Sequence, residues 1–348
     1  MRPVDNPPNP WSSSHVEWLG EPPAAELVVF TDDSRSILSH NDSPDLPFRW
    51  SLNPYRGCFH GCAYCYARPT HQYLGFGAGT DFERRIVVKP DAPQLLRKEL
   101  LRDAWRGETI MFSGVTDCYQ PLEASYGLTR RCLEVCAEFR QPVGIVTKGA
   151  LVARDVDVLQ RLAAHGAVTV FVSVPFADPA DSRAIEPFVA LPERRLRAMR
   201  VLADAGIPVG VSVSPLIPGL NDHQVPAILT AAKAAGAAHA FHILLRLPAE
   251  VEHVFVARLR RAFPDRADKV LSLLRGMHAG RSNDPRFGER MRGQGPRYQL
   301  IADLFERTAL RLGLTPRSPG PAVSPFRRPH REQWLFGGPP QGGVGAAP

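Results

Sequence analysis

The sequence has little cysteine and no long hydrophobic run, and each of these shortages excludes a class of protein. Six cysteines in 348 residues are too few for a disulfide-stabilised secreted scaffold. No stretch approaches the roughly 18 uninterrupted apolar residues that a membrane-spanning helix needs. The first residues, MRPVDNPPNPW, also lack the apolar core of a secretion signal. We therefore expect a cytoplasmic protein with no membrane contact.

The composition is close to that of an ordinary globular protein. Apolar residues make up 44% and charged residues 22%, which argues against a fibrous or largely disordered chain. The net charge is +7, but it is unevenly distributed. Eleven basic and four acidic residues lie between Arg258 and Arg297, so the net charge of this segment alone equals that of the whole chain. Such a segment could bind nucleic acid or another polyphosphate, or could simply form solvated helix faces.

Proline, glycine and polar residues divide the chain into four predicted regions. Residues 1–47 should form an extended, partly disordered arm with an edge strand at Leu27–Phe30. Residues 48–250 should form the core, and residues 251–316 a basic, mostly helical extension. Residues 317–348 are dominated by proline and glycine and predict a disordered tail, because they contain too little apolar surface to bury.

Within the core, short β-rich runs alternate with amphipathic helical patterns. Strands and helices that alternate in this way favour right-handed βαβ units and a parallel sheet. The sequence thus predicts an α/β fold, a partial (β/α)6 TIM-like barrel with its chemistry at the C-terminal ends of the strands. The predicted strands are a run near Trp50–Pro54, then Thr109–Val115, Val143–Thr147, Val168–Val174, Val209–Val213 and Ala240–Leu245. Helices are predicted within 128–139, 156–163, 196–203, 225–232, 251–263, 269–277 and 297–312.

Three of the six cysteines lie within eight positions, in the string NPYRGCFHGCAYCYA. Cys58, Cys62 and Cys65 have the spacing CX3CX2C on a loop that contains glycine, and soft thiolates on one tight loop suit an iron–sulfur cluster. Three ligands leave one iron of a four-iron cluster open. His60 lies between two of the cysteines, where a short loop can hardly turn it to the same metal.

This motif, with an aromatic residue before the third cysteine, resembles the signature of radical S-adenosylmethionine (SAM) enzymes. Longer strings resemble an uncharacterised bacterial radical SAM family related to spore photoproduct lyase, often labelled DNA-repair-photolyase-like. The resemblance covers about residues 28–313. The strings include DDSRSILSHNDSPDLPFRWSLNPYRGC, CAYCYARPTH, TDCYQPLE, PVGIVTKGAL, IPVGVSVSPLIPGLND and MRGQGPRY.

The resemblance implies that Cys58, Cys62 and Cys65 bind a [4Fe–4S] cluster whose open iron chelates SAM. Reduction of the cluster would then cleave SAM to a 5′-deoxyadenosyl radical, which abstracts a hydrogen atom from the substrate. A reductant such as flavodoxin or ferredoxin is implied as a partner. The relationship also favours a nucleic acid lesion or modified nucleotide as substrate, bound with the help of the basic segment 258–297.

The same resemblance implies further SAM contacts at the strand ends. Tyr64 would lie against adenine, and Lys148 would pair with the methionine carboxylate. Each could instead be a packing or turn residue. The other predicted contacts are Ser113 and Gly114 to the methionine amino group, Ser173 to ribose or carboxylate, and Ile217 and Gly219 to adenine.

The remaining cysteines have different predicted roles. Cys118 follows the Ser113 turn and could return a hydrogen atom to the product, although the related lyases have their cysteine at another position. Cys132 and Cys136 lie one turn apart on an apolar helical stripe and predict core packing. Two alternatives stay open for the whole chain: the same radical chemistry on a peptide or small metabolite, and a nucleic-acid-binding protein with a structural cluster.

Overall fold

The computed structural model describes residues 3–13, 16, 18–316 and 323–329, and it has an α/β architecture. The strands are β1 Val28–Thr31, β2 Leu38–His40, β3 Trp50–Leu52, β4 Tyr55–Arg56, β5 Arg85–Val88, β6 Ile110–Phe112, β7 Val143–Thr147, β8 Val168–Ser173, β9 Val209–Leu216 and β10 His239–Leu244. The α-helices are α1 Thr80–Arg84, α2 Ala92–Leu101, α3 Glu123–Tyr126, α4 Leu128–Phe139, α5 Val156–Ala163, α6 Pro179–Ile185, α7 Pro192–Asp204, α8 Val225–Ala234, α9 Glu250–Ala262, α10 Pro264–Met277 and α11 Pro296–Arg311. In this part of the chain no helix is both long and apolar enough to cross a membrane.

Seven strands form the central sheet in the order β10-β9-β8-β7-β6-β3-β2. Six strands of this sheet are parallel, namely β3, β6, β7, β8, β9 and β10, and β2 pairs antiparallel with β3. In the described residues the two outer strands do not pair with each other, so the sheet is an open barrel. This confirms the predicted partial (β/α)6 barrel.

The main core lies between the sheet and the helices that cover its outer face. Alternate residues of β8, Val168, Val170 and Val172, point into this core, as the period of two in a strand requires. Cys132 and Cys136 of α4 have no exposed surface and belong to the same core. Their predicted packing role is therefore confirmed.

Two strands differ from the sequence-based expectation. β6 ends at Phe112 because Ser113 adopts φ 76°, a left-handed conformation that cannot continue a strand. The predicted edge strand near Leu27–Phe30 is shifted by one residue and does not join the barrel. It pairs parallel with β5 in a separate sheet of order β1-β5-β4, which also holds the strand that leads into the cysteine motif.

Residues 323–329, near the C-terminus, pack on the body of the protein. Phe326 stacks on Phe139 with ring centroids 6.3 Å apart, and the Ser324 hydroxyl donates a hydrogen bond to the Gly107 carbonyl over 2.7 Å. Residues 323–329 of the predicted disordered tail are therefore in contact with the body. The rest of that predicted tail, 317–322 and 330–348, lies outside the described residues.

Candidate functional site

The three clustered cysteines lie on a loop that two left-handed glycines shape. Strand β4 runs directly into this loop, and Gly57 turns it with φ 77°. A Cβ atom at Gly57 would lie 2.9 Å from the Phe82 carbonyl oxygen, which instead accepts a hydrogen bond from the Cys58 N–H over 2.8 Å. Gly61 turns the loop again with φ 66°. Both turns need a residue that tolerates positive φ, and glycine does so without strain.

The thiols of Cys58, Cys62 and Cys65 are close enough to influence one another's ionisation. Burial first, then the negative charge of Asp117 and of the other two cysteines, raise the pKa of Cys58 well above its ordinary value. Burial, followed by the charge of Glu186, raises the pKa of Cys62 to about 12. Buried thiols of this kind are poor thiolates unless a cationic group offsets their charge, and metal binding deprotonates a coordinating thiol.

The donor set fits an iron–sulfur cluster better than a single ion. No group of three His, Cys, Asp or Glu side chains in residues 3–13, 16, 18–316 and 323–329 is arranged to hold one metal ion. A cluster has a different requirement, because each thiolate binds its own iron atom. Three soft thiols on one shaped loop satisfy that requirement.

A buried ion pair, Arg68–Glu83, is hydrogen-bonded to the backbone of the cysteine loop. Arg68 has no exposed surface, and its Nη2 lies 2.6 Å from the Glu83 Oε1. The same guanidinium donates to the Cys62 carbonyl through Nε and Nη2, over 3.1 and 2.9 Å, and to the carbonyls of Ala78 and Gly79 over 3.1 and 2.8 Å. The position of Cys62 therefore depends on a fully hydrogen-bonded arginine that the sequence analysis did not single out.

Asp117 connects the loop to the end of β7. Its carboxylate accepts hydrogen bonds from the Thr147 hydroxyl over 2.6 Å and from the Lys148 N–H over 2.7 Å, and it lies 3.4 Å from Nδ1 of His60. Burial raises the pKa of Asp117, but His60 and these hydrogen bonds outweigh that effect and hold it at about 2. Asp117 lies in the string TDCYQPLE, yet only the fold shows what it contacts.

Tyr64 and Lys148 lie close together in the structure. The Lys148 Nζ lies 5.6 Å from the centre of the Tyr64 ring. The Tyr64 hydroxyl donates to Oε1 of the buried Glu186, whose Oε2 accepts from Arg195 Nη2 over 2.5 Å. Burial raises the pKa of Glu186, but Arg195 and Lys148 lower it further, so its net shift is downward. Neither Glu186 nor Arg195 lies in a sequence motif that would have indicated a place in the site.

Ser113 and Gly114 directly follow β6, and both already make hydrogen bonds. The Ser113 hydroxyl accepts a hydrogen bond from the Cys118 N–H over 2.9 Å. The Gly114 carbonyl accepts one from the Tyr66 hydroxyl over 2.6 Å. A Cβ atom at Gly114 would lie 3.1 Å from the Ser51 Cβ, so the close approach of β3 favours glycine there. Tyr66 therefore ties the cysteine loop to the end of β6.

The predicted contacts on β8 and after β9 are buried. Ser173 is 2% exposed, and its carbonyl accepts a hydrogen bond from Arg195 over 3.0 Å. Ile217 has no exposed surface, and its N–H donates to Asn221 Oδ1 over 2.6 Å. Gly219 has φ 76°, and its carbonyl accepts from Arg266 over 2.9 Å. The Ile217 side chain belongs to the same buried apolar cluster as Cys62 and Tyr64, so the structure places Ile217, like Lys148, near the cysteine loop.

Cys118 is fully buried in the main core. Its carbonyl accepts a hydrogen bond from the Thr129 hydroxyl over 2.6 Å. Burial, followed by the charge of Asp117, raises the pKa of its thiol well above the ordinary value. The predicted role as a hydrogen donor would require this side chain to leave the core.

Much of the basic segment is engaged in local contacts. Four of its arginines pair with carboxylates, and Arg266 binds the carbonyls of the turn after β9. The pairs are Arg260–Asp268, Arg275–Glu252, Arg286–Asp284 and Arg290–Asp45. The predicted patch is therefore smaller than the residue count indicates. Just after β10, outside the segment, the guanidinium of Arg246 lies 5.0 Å from the centre of the Tyr66 ring.

Comparisons with known structures bear on the fold. The structure of spore photoproduct lyase complexed with dinucleoside spore photoproduct has a TM-score of 0.61 to this chain, with 16% sequence identity. The match covers 83% of this chain and 81% of the other. At this identity the likeness shows a shared fold, and it supports the open barrel described above.

Sequence comparisons reach uncharacterised relatives in bacteria and archaea. A protein of Mycobacterium tuberculosis is 36% identical over 261 residues, which cover 74% of this chain and 77% of that protein. A protein of Methanocaldococcus jannaschii is 30% identical over 174 residues, which cover 50% of this chain and 62% of that protein. The family model of the radical SAM superfamily matches residues 52–232, which include the cysteine loop and most of the barrel. The chain thus belongs to the radical SAM superfamily.

Proposed function

We propose that this protein cleaves SAM reductively and uses the resulting radical to abstract a hydrogen atom from a nucleic acid lesion or a modified nucleotide. The observation that carries the chemical part is the set of three thiols on one loop, two of them buried and one half-buried, next to Lys148 and Tyr64. When bound, a [4Fe–4S] cluster on Cys58, Cys62 and Cys65 together with SAM would supply the 5′-deoxyadenosyl radical. The chain itself supplies binding, orientation and protection from water.

Lys148 is the residue that we assign to the SAM carboxylate. Its ammonium group lies over the Tyr64 ring and lowers the pKa of both Cys62 and Glu186, so its positive charge acts on the centre of the site. Its backbone N–H is held by Asp117 over 2.7 Å, which fixes the start of the side chain. A compact ammonium on a fixed backbone can pair with a carboxylate at this point.

Tyr64 is the residue that we assign to the adenine. Its ring is 7% exposed, and its hydroxyl is held by Glu186, which is itself paired with Arg195. A ring fixed at its far end offers one face in a defined orientation. Such fixed side chains position a ligand without further ordering when it binds.

The nucleic-acid part of the proposal rests on arginines that follow β10 in the chain. Arg246 lies over Tyr66, and Arg290 is held next to it by Asp45 over 2.6 Å. Arg292 and Arg297 are exposed and have no ion pair within the described residues. Positive charge of this kind, close to Tyr66 of the cysteine loop at Arg246, suits a phosphate backbone.

The chemistry can be tested with the reconstituted protein under anaerobic conditions. We expect 5′-deoxyadenosine to form after addition of SAM and dithionite, and none to form with Cys62→Ala. Lys148→Met should weaken SAM binding by about tenfold, whereas Lys269→Met, which removes an exposed lysine of α10, should not. Absence of 5′-deoxyadenosine from protein that holds a complete cluster would favour the structural-cluster alternative.

The substrate class needs a separate experiment. We expect a fluorescent single-stranded oligonucleotide to bind, with an affinity that falls steeply as salt rises. Arg292→Ala combined with Arg297→Ala should weaken binding and reduce that salt dependence. Binding that ignores salt, or that is equal for a neutral peptide of similar length, would point to the peptide or metabolite alternative.

A further inference from the structure

We propose that Phe59, Phe188, Arg84 and Arg183, here called the Arg84 patch, form the docking surface for a small acidic one-electron carrier that reduces the cluster. The proposal rests on the proposed function in one respect, namely that Cys58, Cys62 and Cys65 hold a cluster. It adds where the electron enters and what kind of surface the carrier must present.

The patch lies directly on the cysteine loop. Phe59 follows Cys58 in the chain, and its ring centroid lies 5.3 Å from that of Phe188. The Phe188 N–H donates to the His60 carbonyl over 3.2 Å, and a Cβ atom at Gly61 would lie 3.1 Å from the Phe188 ring. Both rings thus cover the segment between the first two cysteines. Electron transfer slows steeply with distance, so a carrier seated on these rings would be close to the cluster.

The two rings carry an arginine that has no acidic partner. The guanidinium of Arg84 lies 4.4 Å from the centre of the Phe59 ring and 4.6 Å from that of Phe188. Within the described residues it makes no ion pair or hydrogen bond, and burial lowers its pKa. The two aromatic faces attract the cation but do not neutralise it.

A second arginine adds to the positive charge. Arg183 is exposed, and it donates to the Pro187 carbonyl, next to Phe188, over 2.6 Å. It has no ion pair within the part of the chain that the structure describes. Two arginines around two aromatic rings form the kind of surface that is enriched in protein interfaces.

The acidic residues that flank Arg84 and Phe188 in the chain do not neutralise the patch, because each is paired with another arginine. Glu83 pairs with Arg68, Asp81 pairs with Arg85 over 3.2 Å, and Glu186 pairs with Arg195. The patch therefore consists of two aromatic rings that carry the positive charge of Arg84, with Arg183 nearby. A carrier with a negative surface around its redox group is electrostatically complementary, which increases the rate of encounter.

The redox step is a transfer of one electron. A reduced flavodoxin would supply the electron, its fully reduced flavin would become the one-electron-oxidised form, and the total charge of the cluster would fall by one. No bond in this chain forms or breaks. The residues of the patch act only in binding and orienting the carrier.

The test compares two reductants on the same loaded protein. Reduction of the cluster by excess reduced flavodoxin and by dithionite is followed by absorbance and electron paramagnetic resonance, and flavodoxin affinity is measured by calorimetry. The variant R84E/R183E should show about tenfold slower reduction by flavodoxin and weaker binding, with less dependence on salt. Reduction by dithionite should be unchanged. The control Arg307→Glu reverses an exposed arginine on α11 and should behave like the unmodified protein.

Two results would overturn the proposal: flavodoxin-driven reduction that is unchanged in R84E/R183E, or a loss of the same size in R307E. If R84E/R183E fails to load iron, R183E alone decides the question, because Arg183 is exposed and should show a smaller loss in the same direction. A cluster that flavodoxin reduces normally but that yields no 5′-deoxyadenosine would refute the proposed function and leave the docking surface intact.

Discussion

Replacement of Arg68 by Met should strongly destabilise the protein and disturb the cysteine loop. Arg68 and Glu83 form an ion pair whose side chains are 0% and 2% exposed, with 2.6 Å between Nη2 and Oε1. Loss of the guanidinium would leave a buried carboxylate without its cation. It would also remove the donors to the carbonyls of Cys62, Ala78 and Gly79.

The size of the effect follows from these two losses. Breaking a buried ion pair by removing one partner costs about 3–5 kcal/mol. Each carbonyl left without a donor costs about 1 kcal/mol or more. Part of this cost is already included in the value for breaking the ion pair. The double variant R68M/E83Q removes the isolated charge but not the orphaned carbonyls. It should therefore recover about 2 kcal/mol of the loss.

Anaerobic urea unfolding of the metal-free protein measures these changes, and iron and sulfide content after reconstitution reports on the loop. The control is Arg197→Met, which breaks an exposed pair with Glu193 and should cost less than about 0.5 kcal/mol. We expect R68M to bind less iron than R197M. The reasoning is refuted if R68M unfolds within about 1 kcal/mol of the unmodified protein, or if R68M/E83Q is less stable than R68M.

Three further outcomes are expected. Gly61→Ala should lower the free energy of unfolding by about 2–3 kcal/mol, and Gly166→Ala by about 1 kcal/mol, as measured by thermal or urea unfolding. Both glycines have positive φ, but only Gly61 is crowded by Phe188 and Glu83. Equal costs would contradict the role of crowding. Burial, followed by the charge of Arg292, lowers the pKa of His242 to about 4. Between about pH 6.5 and 4 the unfolded chain therefore protonates this histidine while the folded protein does not. Stability should fall as the pH drops from about 6.5 to 4. His242→Phe should reduce this dependence by up to about 3 kcal/mol, and exposed His165→Phe should not. Cys118→Ala should leave the rate of 5′-deoxyadenosine formation unchanged, since the thiol is buried in the main core; a large loss of turnover at unchanged stability would restore the hydrogen-donor hypothesis.

The barrel could be predicted from the sequence because its signals are local. Short β-rich runs that are bounded by glycine, proline or polar residues can be recognised directly, as at Val143–Thr147, which follows Pro142. The segment between Tyr55 and Leu101 could not be read in this way. Its strands β4 and β5 have two and four residues, which is too short for a clear pattern. β4 pairs with β5, and β5 pairs with β1, which is a contact between distant parts of the chain.

The sequence by itself determined the family, the three cysteines and the order of the barrel strands, because spacing along the chain and periodicity are properties of neighbouring residues. Only the tertiary structure decided which side chains surround the cysteines. Asp117, Glu186 and the Arg68–Glu83 pair reach the loop from separate elements. It also showed that four of the eleven basic residues in 258–297 are paired with carboxylates, and that Arg84 near the cysteine loop makes no ion pair with any described residue. Ion pairing depends on distance in space, and a count along the chain does not contain it.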